Sequence, residues 1–348
     1  MNNAITAELL ETSADGYALA ACALLESTAG DYSRNTNEDH GLWLTHFKQR
    51  LLELAAAVRL NEPHLFVARV SWLRRASAAR GNGLDALRTA LDCLRRALIR
   101  ELPEALRDEA VAPIALALSS LSSDSVQIPG ALDATTVTGR LGLEYIAACL
   151  EGRTDDAKTL ILSAAADRND AMELYKQVLV PVQKEIGQLW HAGDVGIADE
   201  RLVSETTREL MALLVAQYAP SKIAGRSILA AAVPGNAHDL GLHMVADMFQ
   251  LAGWRCLFLG ANVPTDEIAQ AAIDHEVNVV LLSATLTTQL KALEATIRTL
   301  KSANTQIRIL VGGLALEGTE QLWRKLGADA YAADLESAVA AGEKLIAE

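Results

Sequence analysis

The sequence predicts two kinds of architecture in one chain: an all-α region, then an α/β domain with a flavodoxin-like, doubly wound parallel sheet of five strands. Three observations lead there. The chain is 51% apolar but only 4% aromatic and rich in Ala and Leu, a composition that favours helices. Apolar residues recur at helical spacing as far as about Tyr218. From Ser221 onward, short β-rich runs alternate strictly with amphipathic helices, the pattern of parallel strands joined by right-handed crossovers.

Residues 1–120 read as an N-terminal helical domain. Leu9, Leu10, Tyr17, Ala20, Leu24 and Leu25 form one stripe, and Trp43, Phe47, Leu51, Leu52 and Ala55 another. Asn61-Glu62-Pro63 marks a new helix start, because proline at an early helical position forfeits no hydrogen bond. Phe66, Val70, Leu73 and Ala76 follow, Gly81-Asn82-Gly83 ends that helix, and Leu84 to Leu98 makes the next. Residues 121–138, rich in serine and closing on Ile128-Pro129-Gly130, read as a linker. Residues 139–220 then form a four-helix-bundle cap, broken at Glu151-Gly152-Arg153 and Ala192-Gly193-Asp194.

Residues 221–348 make the α/β domain. Its strands are expected at Ser227 to Val233, Arg255 to Leu259, Asn278 to Ser283, Ile307 to Val311 and a weak Ala328 to Ala333. Helices are expected at Leu240 to Leu251, Thr265 to His275, Thr288 to Ser302, Glu317 to Leu326 and Leu335 to Ala347.

Composition narrows the function. The net charge of −13 argues against a duplex-binding protein, whose affinity comes from neutralising phosphates. The arginines from Arg69 to Arg100 are interleaved with or followed by Asp85, Asp92, Glu101 and Glu104, as on solvated helix faces. Cys22, Cys93, Cys149 and Cys256 are widely spaced, which fits buried thiols better than a disulfide framework or zinc site. No apolar run reaches a membrane span of about 18 residues, and the first residues do not read as a signal peptide. A cytoplasmic protein is expected.

A doubly wound sheet binds ligands at the C-terminal ends of its strands, where the strand order reverses. Pro234-Gly235-Asn236-Ala237-His238-Asp239-Leu240-Gly241 follows the first strand, Ser283-Ala284-Thr285 ends the third, and Gly312-Gly313 ends the fourth. A histidine there serves as general base, phosphate contact or metal ligand. No serine or cysteine nucleophile stands beside His238, and neither a Gly-x-Gly-x-x-Gly nor a Gly-Lys-Ser/Thr loop is present. One histidine among glycines suits a large cofactor that brings its own metal.

The run His238-Asp239-Leu240-Gly241, with Met244-Val245, Leu251-Ala252-Gly253-Trp254 and Leu259-Gly260-Ala261-Asn262-Val263-Pro264, resembles the cobalamin-binding domain over about 120 residues. The resemblance implies that His238 is the lower cobalt ligand, displacing the cofactor's own dimethylbenzimidazole. It also implies that Ser283 and Thr285 contact that displaced tail and that Gly312-Gly313 leave room for it. Asn236 stands where the family carries an acid, which alters the tuning of the histidine.

Leu189 to Glu200 resembles the helical cap of CarH-type light sensors, which use adenosylcobalamin. That resemblance implies Trp190 packing over the adenosyl group with Ile197 as an apolar wall. Glu200 would hydrogen-bond the same group, and His191 would become a new upper cobalt ligand after photolysis. Arg201 replaces a histidine common in that family. Residues 1–120 do not look like a winged helix; the whole arrangement is closer to photocobilins, which implies a second chromophore, a linear tetrapyrrole such as biliverdin. Trp43, Phe66, Trp72 and nearby arginines would wrap it, although core packing explains these aromatics more simply.

The expectation is therefore a cobalamin-dependent light sensor, working as a homo-oligomer or through a protein partner, without nucleic-acid or membrane binding. The alternative is a corrinoid carrier for methyl transfer, which shares the cap and the lower histidine.

Overall fold

The computed structural model describes residues 2–28, 37–79, 84–121, 130–304, 306–319 and 321–347. The expected turn at Gly81-Asn82-Gly83 and residues 122–129 of the expected linker lie outside them. The chain divides into two compact units, Met1–Ile128 and Pro129–Glu348.

The first unit is helical: α1 (Asn2–Thr12), α2 (Ala14–Thr28), α3 (Asn37–Leu60), α4 (Pro63–Ala79), α5 (Leu84–Glu101) and α6 (Glu104–Ser120). Pro63 opens α4 just after Asn61, whose φ of 52° breaks the chain direction. Leu10, Phe47, Leu51, Leu54, Phe66, Leu91, Leu94 and Leu98 are buried in its core. Glu53 is buried with them, held by Arg50 at 2.6 Å and Arg69 at 3.0 Å.

The second unit begins with the cap: α7 (Val137–Leu150), α8 (Thr154–Leu162), α9 (Arg168–Leu174), α10 (Val180–Ala192) and α11 (Ile197–Tyr218). A π-helical turn, Tyr175–Leu179, joins α9 to α10. Its cause is local. Pro181 has no amide hydrogen to offer the preceding turn, and the Val180 amide instead reaches back five residues to the Tyr175 carbonyl. Asp167 caps α9 by accepting from the amides of Asn169 and Asp170, so the stretch after α8 splits where the sequence suggested continuous helix.

The α/β half contains β1 (Ser227–Ala232), α12 (Leu240–Leu251), β2 (Arg255–Gly260), α13 (Thr265–Asp274), β3 (Val279–Ser283), α14 (Leu290–Ala303), β4 (Arg308–Gly312), α15 (Leu322–Lys325), β5 (Ala330–Tyr331) and α16 (Leu335–Ala347). All pairings are parallel and the strand order is β2-β1-β3-β4-β5, the expected doubly wound sheet. Strands β1 and β3 are buried along their whole length, as a sheet covered on both faces requires. The helix expected at 317–326 shrinks to α15, because Gly318, at φ 74°, starts a new turn.

Helix α12 serves two cores. Leu242, Ala246 and Phe249 face the sheet, while Met244, Met248 and Leu251 share a cluster with Leu174, Tyr175, Val178, Leu210, Met211 and Leu214 of the cap. The two stripes follow from helical periodicity, one at 242, 246 and 249 and the other at 244, 248 and 251.

Candidate functional site

The order reverses between β1 and β3, and the loops after β1, β3 and β4 meet there. Side-chain amides knit the loops after β1, β2 and β3 together. Fully buried Asn236 donates from Nδ2 to the Ser283 carbonyl at 3.0 Å and accepts at Oδ1 from the His238 amide at 3.1 Å. Gln289, 5% exposed, donates to the Gly235 carbonyl at 3.0 Å and accepts from the amides of Thr285 and Leu286. Asn262, in the left-handed region at φ 52°, accepts from the Gly235 amide at 2.7 Å. These bonds fix the backbone on both sides of His238 and leave its side chain exposed.

The asparagine in place of an acid has a local reason. Its amide never meets the imidazole; it needs one donor and one acceptor, which a carboxylate does not have. Gly313 is also locally required: at φ 103°, a Cβ there would lie 2.2 Å from the Ala284 carbonyl oxygen. Ser283 ends β3 almost buried, whereas Thr285 is half-buried and Gly241 opens α12 with free space around its Cα. Thus Asn236, His238, Asp239, Leu240, Gly241, Ser283, Thr285, Gly312 and Gly313 share one end of the sheet.

The other expected residues lie on the cap, around the α10–α11 turn. Gly193, at φ 83°, closes α10 with its amide on the Trp190 carbonyl, and the Asp194 amide returns to Leu189. Asp199 then accepts from the Gly196 amide and starts α11. Helix capping therefore accounts for Gly193, Gly196 and Asp199, but not for Trp190, His191, Ile197 and Glu200. Trp190 is 37% exposed and packs against His191 at 4.6 Å between ring centroids, and Ile197 is 62% exposed. Glu200 is held by Ser204 at 2.9 Å. Behind it, Ser204, Gln183, Thr207 and Tyr145 form a chain of hydrogen bonds into the cap's core.

Arg208 ties α11 to the sheet domain through an ion pair with Asp239, the neighbour of His238. Glu200, Ser204 and Arg208 form one stripe of α11, and Ile197 lies about 16 Å along the helix from Arg208. Arg208 and Gln289 were not singled out from the sequence, because an ion pair or amide bridge across elements leaves no periodic or motif signal.

In the first unit, Phe66 is fully buried, Trp43 packs on His46 at 5.3 Å between ring centroids, and the Trp72 side chain lies outside the described residues. Arg69 is engaged by Glu53. Burial lowers the His46 pKa to about 4, so this imidazole stays neutral. All four cysteines are free thiols, and no cluster of three metal-ligating side chains exists among the described residues. No helix among the described residues is long and apolar enough to cross a membrane.

The donor set suits a corrinoid, a planar cofactor that leaves a single lower position for the protein to fill. One exposed imidazole stands on a rigid loop, open space surrounds Gly235 and Gly241, and Leu314, just beyond Gly312-Gly313, is 64% exposed.

Comparison with known proteins agrees. One B12 binding domain family matches residues 226–341, and a second family of the same description matches residues 143–215. A corrinoid protein of Desulfitobacterium hafniense is 26% identical over 206 residues, covering 57% of this chain and 94% of its own. Dimethylamine corrinoid protein 3 of Methanosarcina mazei is 31% identical over 118 residues, covering 33% of this chain and 69% of its own. The solved monomethylamine corrinoid protein of Methanosarcina barkeri shares the fold, with a TM-score of 0.51 and 17% identity over 61% of this chain and all of its own. With its helical cap and its α/β domain both matched, the chain belongs to the B12-binding corrinoid proteins.

Proposed function

We propose that the chain is a corrinoid carrier, holding cobalamin between the α/β domain and the cap with His238 as the lower ligand to cobalt. The observation that carries this reading is the His238 loop, pinned by Asn236, Asn262 and Gln289 at the switch point while its imidazole stays exposed. When bound, the cofactor supplies a cobalt centre able to take up and give up a methyl group. The chain's residues do the rest. His238 gives its nitrogen, Ser283 and Thr285 line the groove for the displaced tail, and Gly312-Gly313 keep it open. The cap keeps water from the upper face. One relative is named a dimethylamine corrinoid protein, and that name favours the carrier reading here.

Loading the protein with methylcobalamin in the dark and recording its spectrum tests the assignment. Binding with the dimethylbenzimidazole displaced by a protein nitrogen is expected, and His238→Ala should abolish that signature. A variant spectrum identical to wild type overturns it.

Trp190, His191, Ile197 and Glu200 favour a second reading, since helix capping does not call for them and an apolar pair stands exposed at the cap's end. In that reading Trp190 and Ile197 would pack on an adenosyl group, Glu200 would bind it, and His191 would hold the cobalt once light had removed that group; the signal would pass to a partner or through self-association. The helical first unit, to which neither family match extends, would carry the output or a biliverdin. Illumination decides: a photoproduct with two nitrogen ligands, lost in His191→Ala, supports the sensor, while an unchanged photoproduct in that variant removes it. Biliverdin added to the purified protein without a red-shifted bound band removes the second chromophore.

A further inference from the structure

The cap is fastened to the α/β half largely through α12, and a carboxylate sits in the middle of that apolar contact. Asp247 falls in the stripe formed by Met244, Met248 and Leu251 and is 2% exposed. Its Oδ2 accepts from the Tyr175 hydroxyl at 2.8 Å, and its Oδ1 accepts from Gln250 Nε2 at 3.1 Å. Tyr175 belongs to the π-helical turn of the cap, so this bond crosses from one half of the unit to the other.

Among the described residues, no compensating cation stands beside it. His243, one turn earlier on α12, approaches Asp247 at 3.7 Å, but burial and the charge of Arg208 on α11 both lower its pKa. Its ring stacks on Phe258 of β2 at 4.3 Å, with Nδ1 buried and unpartnered. Asp239, just before that helix, pulls the other way on His243, to a smaller extent. From β2, the Cys256 thiol faces the group and is pushed up to about 12, mainly by burial, with Lys222 opposing weakly. Burial likewise raises the carboxyl of Asp247 to about 7, with the bonds from Tyr175 and Gln250 opposing.

We propose that Asp247 is the positioning residue that sets how readily the cap lifts from the His238 loop: as a carboxylic acid against Tyr175 it holds the cap's π turn on α12, and as a carboxylate it favours release. The cap matters for the cofactor only through the corrinoid-binding reading, on which this inference rests. Lifting the cap exposes Asp247 to water, where its proton dissociates at the ordinary value near 3.8. The open form therefore gains with each rise in pH from about 4 to about 7 and levels off above that. Between pH 6 and pH 8 the opening equilibrium should rise about tenfold.

The test is pH-resolved hydrogen exchange in residues 168–180 and 240–251 of the full chain, corrected for the intrinsic exchange rate, together with the rate of methylcobalamin release in the dark. Wild type should show the tenfold rise in opening. Asp247→Asn, which can accept from Tyr175 but cannot titrate, should be flat over the same range. Equal profiles for the two proteins, or a wild-type opening that slows with pH, overturn the proposal. If the asparagine variant does not fold, Tyr175→Phe carries the test: losing a donor to the carboxylate must move the wild-type inflection to higher pH, and an unmoved inflection overturns the proposal. Exchange is read without cofactor, so a normal pH profile with no cobalamin bound faults the corrinoid reading alone. Normal binding with a flat exchange profile faults the latch alone.

Discussion

Asn236 shows how one amide atom decides a position. Its Nδ2 hydrogen goes to the Ser283 carbonyl, so Asn236→Asp sets a carboxylate against a buried carbonyl oxygen. The expected loss is about 1–3 kcal/mol, the usual penalty for a buried acceptor left unpaired, and urea unfolding would measure it. A variant as stable as wild type would mean the loop does not depend on that bond. In the first unit, Glu53 is the matching case. Removing it as Glu53→Ala leaves Arg50 buried without its counter-charge, and about 3–5 kcal/mol should be lost. The position of His238 at the switch point was legible in the sequence, because a loop after a first strand has a known place in this architecture. Gln289, Asp247 and Arg208 were not. Each works through a partner distant in sequence, and a single chain carries no pattern for such pairs.

At the scale of elements, the helical period and short β-rich runs located nearly every strand and helix of the α/β half, because alternation of buried strands and amphipathic helices is strong there. Where expectation and structure part, a local backbone term has overruled periodicity. Gly318 cuts short the helix before β5, and Asp167 starts a helix inside a stretch read as continuous. Pro181 turns one cap helix into two joined by a π turn, and through that turn sets the register of Tyr175. The close approach of the β3 and β4 loops makes a sharper prediction. Gly313→Ala puts a Cβ against the Ala284 carbonyl at a positive φ, and should cost about 2 kcal/mol or more, visible as a lower midpoint of thermal unfolding. Gly235→Ala has space for its Cβ and suffers only the strain of φ 80°, so it should cost less.

Over the whole molecule, the all-α and α/β division and the five-stranded sheet were legible from composition and alternation, and the cofactor class only through a family resemblance spanning about 120 residues. What the cofactor is used for was not, since carrier and sensor share the lower histidine and the cap, and differ in what approaches the upper face. Both B12 binding domain matches fall inside the unit Pro129–Glu348, which has its own two clusters of buried side chains. Residues 129–348 expressed alone should therefore bind methylcobalamin as the full chain does. A large loss of affinity on titration would mean the helical unit completes the site.

The two-faced helix α12 has a kinetic consequence. Freeing the cap means wetting Met244, Met248 and Leu251 together, at about 1.5–3 kcal/mol for each side chain. A total near 6 kcal/mol corresponds to roughly one molecule in twenty thousand at any instant. The uncovered form is then a fleeting excursion rather than a resting shape. On the carrier reading proposed above, a partner that had to reach a cobalt under the cap would either wait for that excursion or supply from its own contacts the free energy that α12 withholds.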